Sequence, residues 1–123
     1  MLAEGMHDRA GAIRVWTEAL ELLPEPKTQW EAALWLYASI GDAYRAAGDL
    51  PAAQEALFDA LNCPDGHANP LVLLRLGQTL ADRGEVDRGT EYLLRAHILY
   101  GTDVFDEDEQ PYLKLLRDRE LMD

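Results

Sequence analysis

The sequence predicts an all-α fold of about six helices, and two observations lead to that expectation. Apolar residues recur three or four positions apart along most of the 123-residue chain, which is the spacing of a buried helical face. The small and apolar positions of the segment 34–60 also recur 36 residues later, where Gly41 falls on Gly77 and Leu57 falls on Leu93. A period of this length is typical of arrays of helix pairs, so no β-sheet is expected.

The first helix is expected to run from about Asp8 to Leu23, with Asp8 as its N-cap. Pro24 and Pro26 stop it, because proline cannot continue a helix. Shifted by 41 residues, its small and apolar positions match the second helix of the repeat. The segment 8–26 is therefore interpreted as a half repeat.

The first complete repeat is expected over residues 28–65. Its long first helix should run from Thr28 to Ala47, with Thr28 as N-cap and Glu31 completing a capping box. Gly48 fits the left-handed position that often ends a helix.

The second helix of this repeat should begin after Asp49, which can act as its N-cap, and end near Leu61. Pro51 falls in the first turn, where its missing N–H is not needed. The residues 62–70 that follow are rich in turn formers and predict a loop.

The next repeat is expected over residues 70–102, with helices at 71–83 and from 85 or 86 to 100, separated by Gly84. An acidic stretch at 103–109 then precedes a last helix over residues 110–122. Such repeat units cannot bury their apolar faces alone, so this last helix is interpreted as a cap on the final repeat.

Composition favours one soluble domain over residues 1–123. The formal charge is −12, from 23 acidic and 11 basic residues, which disfavours nucleic acid and anionic membranes as partners and permits a basic protein. Cys63 is the only cysteine, so no internal disulfide can form, and a cytoplasmic location is expected. The first residues do not read as a signal peptide, and no apolar stretch is long enough to predict a membrane span.

No constellation of residues predicts catalysis, so an enzyme is not expected. The three histidines are scattered, and there is no phosphate-binding glycine loop. Cys63 and His67 are four residues apart, but a zinc site needs four ligands and no second pair is present. Neither a metal nor a cofactor is therefore predicted.

The sequence resembles the tetratricopeptide repeat, a helix–turn–helix unit of about 34 residues. The residues that carry the resemblance in the first complete repeat are Tyr37, Ile40, Gly41, Tyr44, Gly48, Ala53, Leu57 and Ala60. The second copy departs at Gly89, where alanine is usual. The resemblance covers roughly residues 8–102 and implies a right-handed superhelix of antiparallel helix pairs with a C-terminal capping helix.

Tetratricopeptide proteins bind partners in a groove lined by the first helix of each pair. Carried over by position, the resemblance implies a groove lined by Trp35, Ala38, Asp42, Arg45, Leu71, Leu74, Arg75, Gln78 and Asp82. Trp35 and Leu74 could form an apolar pocket there. Chaperone-tail binding is not expected, because Ala38, Asp42 and Leu74 stand where the basic and asparagine clamp residues would stand.

The predicted function is therefore a non-catalytic protein-binding module for a basic protein or peptide. The partner should contact the groove or the acidic stretch 103–109, in particular Asp106, Glu107 and Asp108.

Two alternatives stay open. The segments CPDGHANPLVLLRLGQ (63–78) and VFDEDEQPYLKLL (104–116) resemble small bacterial tetratricopeptide proteins, some of which accompany polymorphic toxins, so this chain could neutralise a basic toxin domain. It could instead be a self-associating structural module. Its N-terminal stripe of Val15, Trp16 and Leu20 could be covered by a second copy in a homodimer, or within the chain through Trp30.

Overall fold

The computed structural model describes residues 2–29, 31–105 and 109–119, with the side chains of residues 2–8 and 28 left aside. Over these residues the chain is all-helical and contains no β-strand, which confirms the predicted all-α class and the six helices. The helices are α1 (Leu2–Leu22), α2 (Glu31–Ala47), α3 (Leu50–Leu61), α4 (Pro70–Asp82), α5 (Val86–Tyr100) and α6 (Gln110–Asp118). Short 3-10 turns lie at Lys27–Gln29, Gly66–Ala68 and Thr102–Val104.

Two predicted helix starts are wrong. Helix α1 begins at Leu2, so Asp8 lies inside it and is not its N-cap. Several of the residues before Asp8 are good helix formers, and they extend the helix by two turns. Helix α2 begins at Glu31 and not at Thr28, because Lys27–Gln29 form a 3-10 turn in which the Gln29 N–H donates to the Pro26 carbonyl at 3.2 Å. Trp30 lies outside the described residues.

The chain divides into two compact units, Met1–His67 and Ala68–Asp123. The first contains α1, α2 and α3, and the second contains α4, α5 and α6. Each unit has one helix pair joined by a tight turn, α2 with α3 and α4 with α5. The expectation of a single domain stays a prediction.

The same turn joins the helices of both pairs. Gly48 and Gly84 have φ values of 87° and 90°, a conformation that L side chains rarely adopt. Their N–H groups donate to the carbonyls of Arg45 and Ala81, both at 3.0 Å. The 36-residue period of the sequence therefore reappears as one backbone conformation in each unit.

The same close contact also recurs within each pair. A Cβ atom added at Gly41 would lie 2.6 Å from Leu57 Cγ, and one added at Gly77 would lie 2.7 Å from Leu93 Cγ. Both leucines are fully buried. A side chain at either position would overlap the facing leucine, so the leucine or the paired helices would have to shift.

Helix α3 starts as predicted. The Asp49 side chain accepts a hydrogen bond from the Ala52 N–H at 3.2 Å, and Pro51 lies in the first turn. Helix α4 starts in a similar way, with Asn69 accepting from the Val72 N–H at 3.1 Å. These local signals fix where the two helix pairs begin and end.

In the second unit, α6 packs onto the helix pair as a cap. Its residues Leu113 and Leu116 form a buried apolar cluster with Phe105, Leu74 and Leu93. The cluster brings together α4, α5, α6 and the loop before α6. This packing decides which residues of α4 are accessible.

Candidate protein-binding surface

The resemblance places four residues of α2 in a binding groove, and one of the four is exposed. Trp35 is 55% exposed, whereas the neighbouring Leu34 and Ala38 are buried. A helical residue is turned by about 100° from its neighbour, so Trp35 lies off the buried face. Asp42 and Arg45 are half-buried, and both already interact with other residues. Trp35 is thus the main accessible group of this set.

Leu71, the first of the residues assigned on α4, is half-buried, and the next, Leu74, lies beneath the cap. Leu74 is 4% exposed, and its cluster includes Leu113 and Leu116 of α6. It therefore offers almost no surface to a partner while α6 is in place. An apolar pocket that uses Leu74 would require α6 to leave.

Two further residues of α4 form a polar network with the cap. Arg75 Nη1 donates to Gln78 Oε1 at 3.0 Å and to Glu109 Oε1 at 2.7 Å. Gln78 is 1% exposed and Glu109 is 3% exposed. These hydrogen bonds connect the start of α6 to α4, although the cost of burying the two charges offsets much of their attraction.

Asp82 also contacts the cap. Its carboxylate accepts a hydrogen bond from the Tyr112 hydroxyl, at 2.8 Å to Oδ1 and 2.9 Å to Oδ2. Leu74, Arg75 and Asp82 therefore all contact the segment that contains α6 or directly precedes it. On α4, the face that the resemblance assigned to a ligand is largely occupied by the chain itself.

The acidic stretch 103–109 is not uniform. Asp103 is exposed, whereas Glu109 is buried in its ion pair with Arg75. Glu109 is therefore not available to a partner. No local signal could have shown this, because Arg75 is 34 residues away. Asp106, Glu107 and Asp108 lie outside the described residues.

From Arg9 onward, helix α1 carries two large exposed apolar side chains. Val15 is 58% exposed and Leu22 is 84% exposed, and they lie two turns apart on one face. The predicted stripe is therefore uncovered only in part, because Leu20 is buried and Trp16 is half-buried. Exposure of Leu22 was not predicted.

The end of α5 exposes a second apolar group. Ile98 is 70% exposed, and Leu99 and Tyr100 are also exposed. The Tyr100 hydroxyl donates to the Ala68 carbonyl. The helical spacing of α5 predicts a buried face here, but it does not predict that these three apolar residues at the end of the helix are exposed.

Within the described ranges, no three or more His, Cys, Asp or Glu side chains come together in a way that could hold a metal ion. Cys63 is buried, and its Sγ donates to the Asp59 carbonyl at 3.4 Å. No helix in the same residues is both long and apolar enough to cross a membrane.

In comparisons with known proteins, no family model, no curated protein and no solved structure matches this chain.

Proposed function

We propose that this chain is a non-catalytic protein-binding module whose docking surface on α2 is centred on Trp35. The observation that carries the proposal is the 55% exposure of a tryptophan on a well-packed helix. Tryptophan is among the residues most enriched in the energetic centre of protein interfaces, because its large flat surface is buried at a small entropic cost. An exposed aromatic anchor on a rigid element is what such a centre needs.

The partner proposed for this surface is basic. Glu31 and Asp42 lie one turn before and two turns after Trp35, on the same side of α2. The whole chain carries a formal charge of −12. Complementary charge mainly raises the rate of association, while the buried aromatic group slows dissociation. Neutralisation of a basic toxin domain would be one case of this chemistry and stays a prediction.

The proposed arrangement of the helix pairs is a tetratricopeptide-like right-handed superhelix, with α1 as a half repeat. The turn and the glycine–leucine contact that recur in both pairs support it. Residual dipolar couplings measured on the aligned protein would give the orientation of α2 and α3 relative to α4 and α5. Orientations unlike those of successive superhelical repeats would contradict this arrangement.

The docking surface is tested by comparing Trp35→Ala with Ile98→Ala, which removes a similarly exposed apolar side chain from the other unit. Proteins retained from a native lysate by the wild type and by Ile98→Ala, but lost with Trp35→Ala, would be candidate partners. With a purified partner, Trp35→Ala should mainly raise the dissociation rate, while circular dichroism confirms the fold. If Trp35→Ala retains the same proteins as the wild type, the α2 surface is not the docking site.

A second candidate function is self-association through α1. Val15 and Leu22 form an exposed apolar pair at positions i and i+7, a spacing that a second copy could cover by two-fold packing. Sedimentation velocity should then show a dimer that the double variant Val15→Gln, Leu22→Gln converts to a monomer. A wild-type protein that stays monomeric at all accessible concentrations would exclude this candidate.

A further inference from the structure

The first unit contains a cavity of about 260 Å³ between α1, α2 and α3. Its polar lining consists of Thr17, Tyr37, Tyr44, Glu55 and Asp59, and its apolar lining includes Leu20 and Ile40. Sites for drug-sized ligands occupy roughly 300–1,000 Å³, so this cavity suits a smaller molecule. Trp35 does not line it, because Tyr37 is turned about 200° from Trp35 on α2.

Two carboxylates on α3, those of Glu55 and Asp59, border the cavity. Glu55 and Asp59 are separated by one helical turn, and no salt bridge among the described residues includes either of them. Arg9 and Arg14 of α1 form no ion pair with them. A like-charged pair at this spacing destabilises a helix by about 0.2–0.5 kcal/mol.

The position of Asp59 adds to the unfavourable charge. Asp59 lies in the last turn of α3, where the helix dipole disfavours a negative side chain. Burial, and then the Glu55 carboxylate, raise the pKa of Asp59 above its ordinary value of 3.8. A bound cation would stabilise the ionised carboxylate of Asp59 against the effects of burial, of the neighbouring Glu55 and of the helix dipole.

The α2 side of the cavity is aromatic. Tyr37 and Tyr44 lie two turns apart on α2, and both line the cavity. Burial, followed by the Asp59 carboxylate, raises the pKa of the Tyr37 hydroxyl, so the phenol stays neutral. Aromatic faces attract cations, and the attraction is worth about 0.5–2 kcal/mol depending on how far the site is removed from water.

We propose that this cavity binds a small organic cation, an ammonium or guanidinium group carried on a short aliphatic stem. Glu55 and Asp59 would hold the charged group, and Leu20 and Ile40 would contact the stem. The cation could be a free small molecule or a lysine or arginine side chain of another protein. This site does not depend on the docking surface at Trp35, so either can fail without the other.

The direct test is a titration of the ¹⁵N-labelled protein with butylguanidinium and butylammonium chloride, followed by NMR. Butylurea, the neutral analogue, and sodium chloride at matched ionic strength serve as controls. Saturable shifts are expected for the residues that line the cavity, with little effect of butylurea.

Two double variants locate the binding. Glu55→Gln with Asp59→Asn keeps the shape of the cavity and removes both charges, so affinity for butylguanidinium should fall about tenfold or more. Asp87→Asn with Glu91→Gln removes the same charge from two exposed positions of α5, also four residues apart, and should bind as the wild type does.

A peptide with one central arginine, compared with the same peptide carrying citrulline, identifies the source of the cation. Arginine-dependent binding that shifts the same signals supports a protein side chain, whereas binding of butylguanidinium alone supports a free small molecule. The proposal is overturned if no probe causes saturable shifts at the cavity, if butylurea binds equally well, or if both double variants lose the same affinity.

Discussion

The Asp59 carboxylate is half-buried and lines the cavity between α1, α2 and α3. Its pKa is raised by burial and by Glu55, so the folded state binds its proton more tightly than the unfolded chain does. The stabilisation that comes with this proton is complete below the ordinary pKa of 3.8 and is lost as the pH rises through the raised value. At neutral pH the ionised Asp59 therefore destabilises the fold.

The variant Asp59→Asn should accordingly be more stable than the wild type at pH 7, and the difference should shrink as the pH is lowered toward 4. Denaturant unfolding followed by circular dichroism across this pH range measures the effect. Asp103→Asn, at an exposed position, is the control for the loss of one negative charge. A wild type that is as stable as Asp59→Asn at pH 7 would show that Asp59 carries no such penalty.

The glycine–leucine contact makes a second prediction at the scale of one residue. A Cβ at Gly77 would lie 2.7 Å from Leu93 Cγ and 2.9 Å from the Gly89 carbonyl oxygen, so Gly77→Ala should destabilise the protein by about 1–3 kcal/mol. Gly11 in α1 has no atom within 4 Å of the same position, and Gly11→Ala should stabilise by about 0.5–1 kcal/mol. Equal unfolding free energies for the two variants would contradict the assigned contact.

Among the elements, α6 limits which residues of α4 are accessible. It covers Leu74 and Leu93 with Leu113 and Leu116, and its start is held to α4 by the Arg75–Glu109 ion pair. A segment near the C-terminus thereby closes a face that the resemblance would leave to a ligand. The apolar cluster, more than the ion pair, should hold α6 in place, because burying two charges cancels much of their attraction.

Truncation of one buried side chain of α6 tests this. Leu116 is fully buried, so Leu116→Ala should cost about 2–5 kcal/mol of unfolding free energy through lost burial and a residual cavity. Lys114→Ala, on the exposed side of the same helix, should change it by less than about 0.5 kcal/mol, since its surface ion pair with Asp118 contributes little. Chemical denaturation gives both values, and a mild effect of Leu116→Ala would mean that α6 packs loosely.

At the scale of the whole molecule, the formal charge of −12 should govern how fast a basic partner is met. The association rate should fall as salt is raised from low to physiological ionic strength, where the screening length is about 8 Å. Neutralising Asp106, Glu107 and Asp108 together should slow association and weaken its salt dependence. Stopped-flow kinetics measures both effects. An association rate that changes neither with salt nor with these substitutions would show that electrostatic steering does not speed the encounter.

Much of the architecture could be predicted from the sequence because its causes are local. The cap at Asp49, the proline at position 51 and the left-handed glycine at position 48 each act within a few residues. The 36-residue period also places a glycine and a leucine at equivalent positions of both helix pairs, and these are the residues in contact, Gly41 with Leu57 and Gly77 with Leu93. The start of α1 was missed because an aspartate that could cap a helix lies inside a longer helical segment.

The sequence by itself thus determined the helical class, the helix pairs and the residues at their crossing points, because periodicity and turn chemistry are properties of neighbouring residues. Only the tertiary structure decided that Glu109 pairs with Arg75, that α6 buries Leu74, and that Tyr37 and Asp59 line one cavity. These contacts join residues that are distant in sequence. Burial and charge balance arise only when the helices that carry them are packed together.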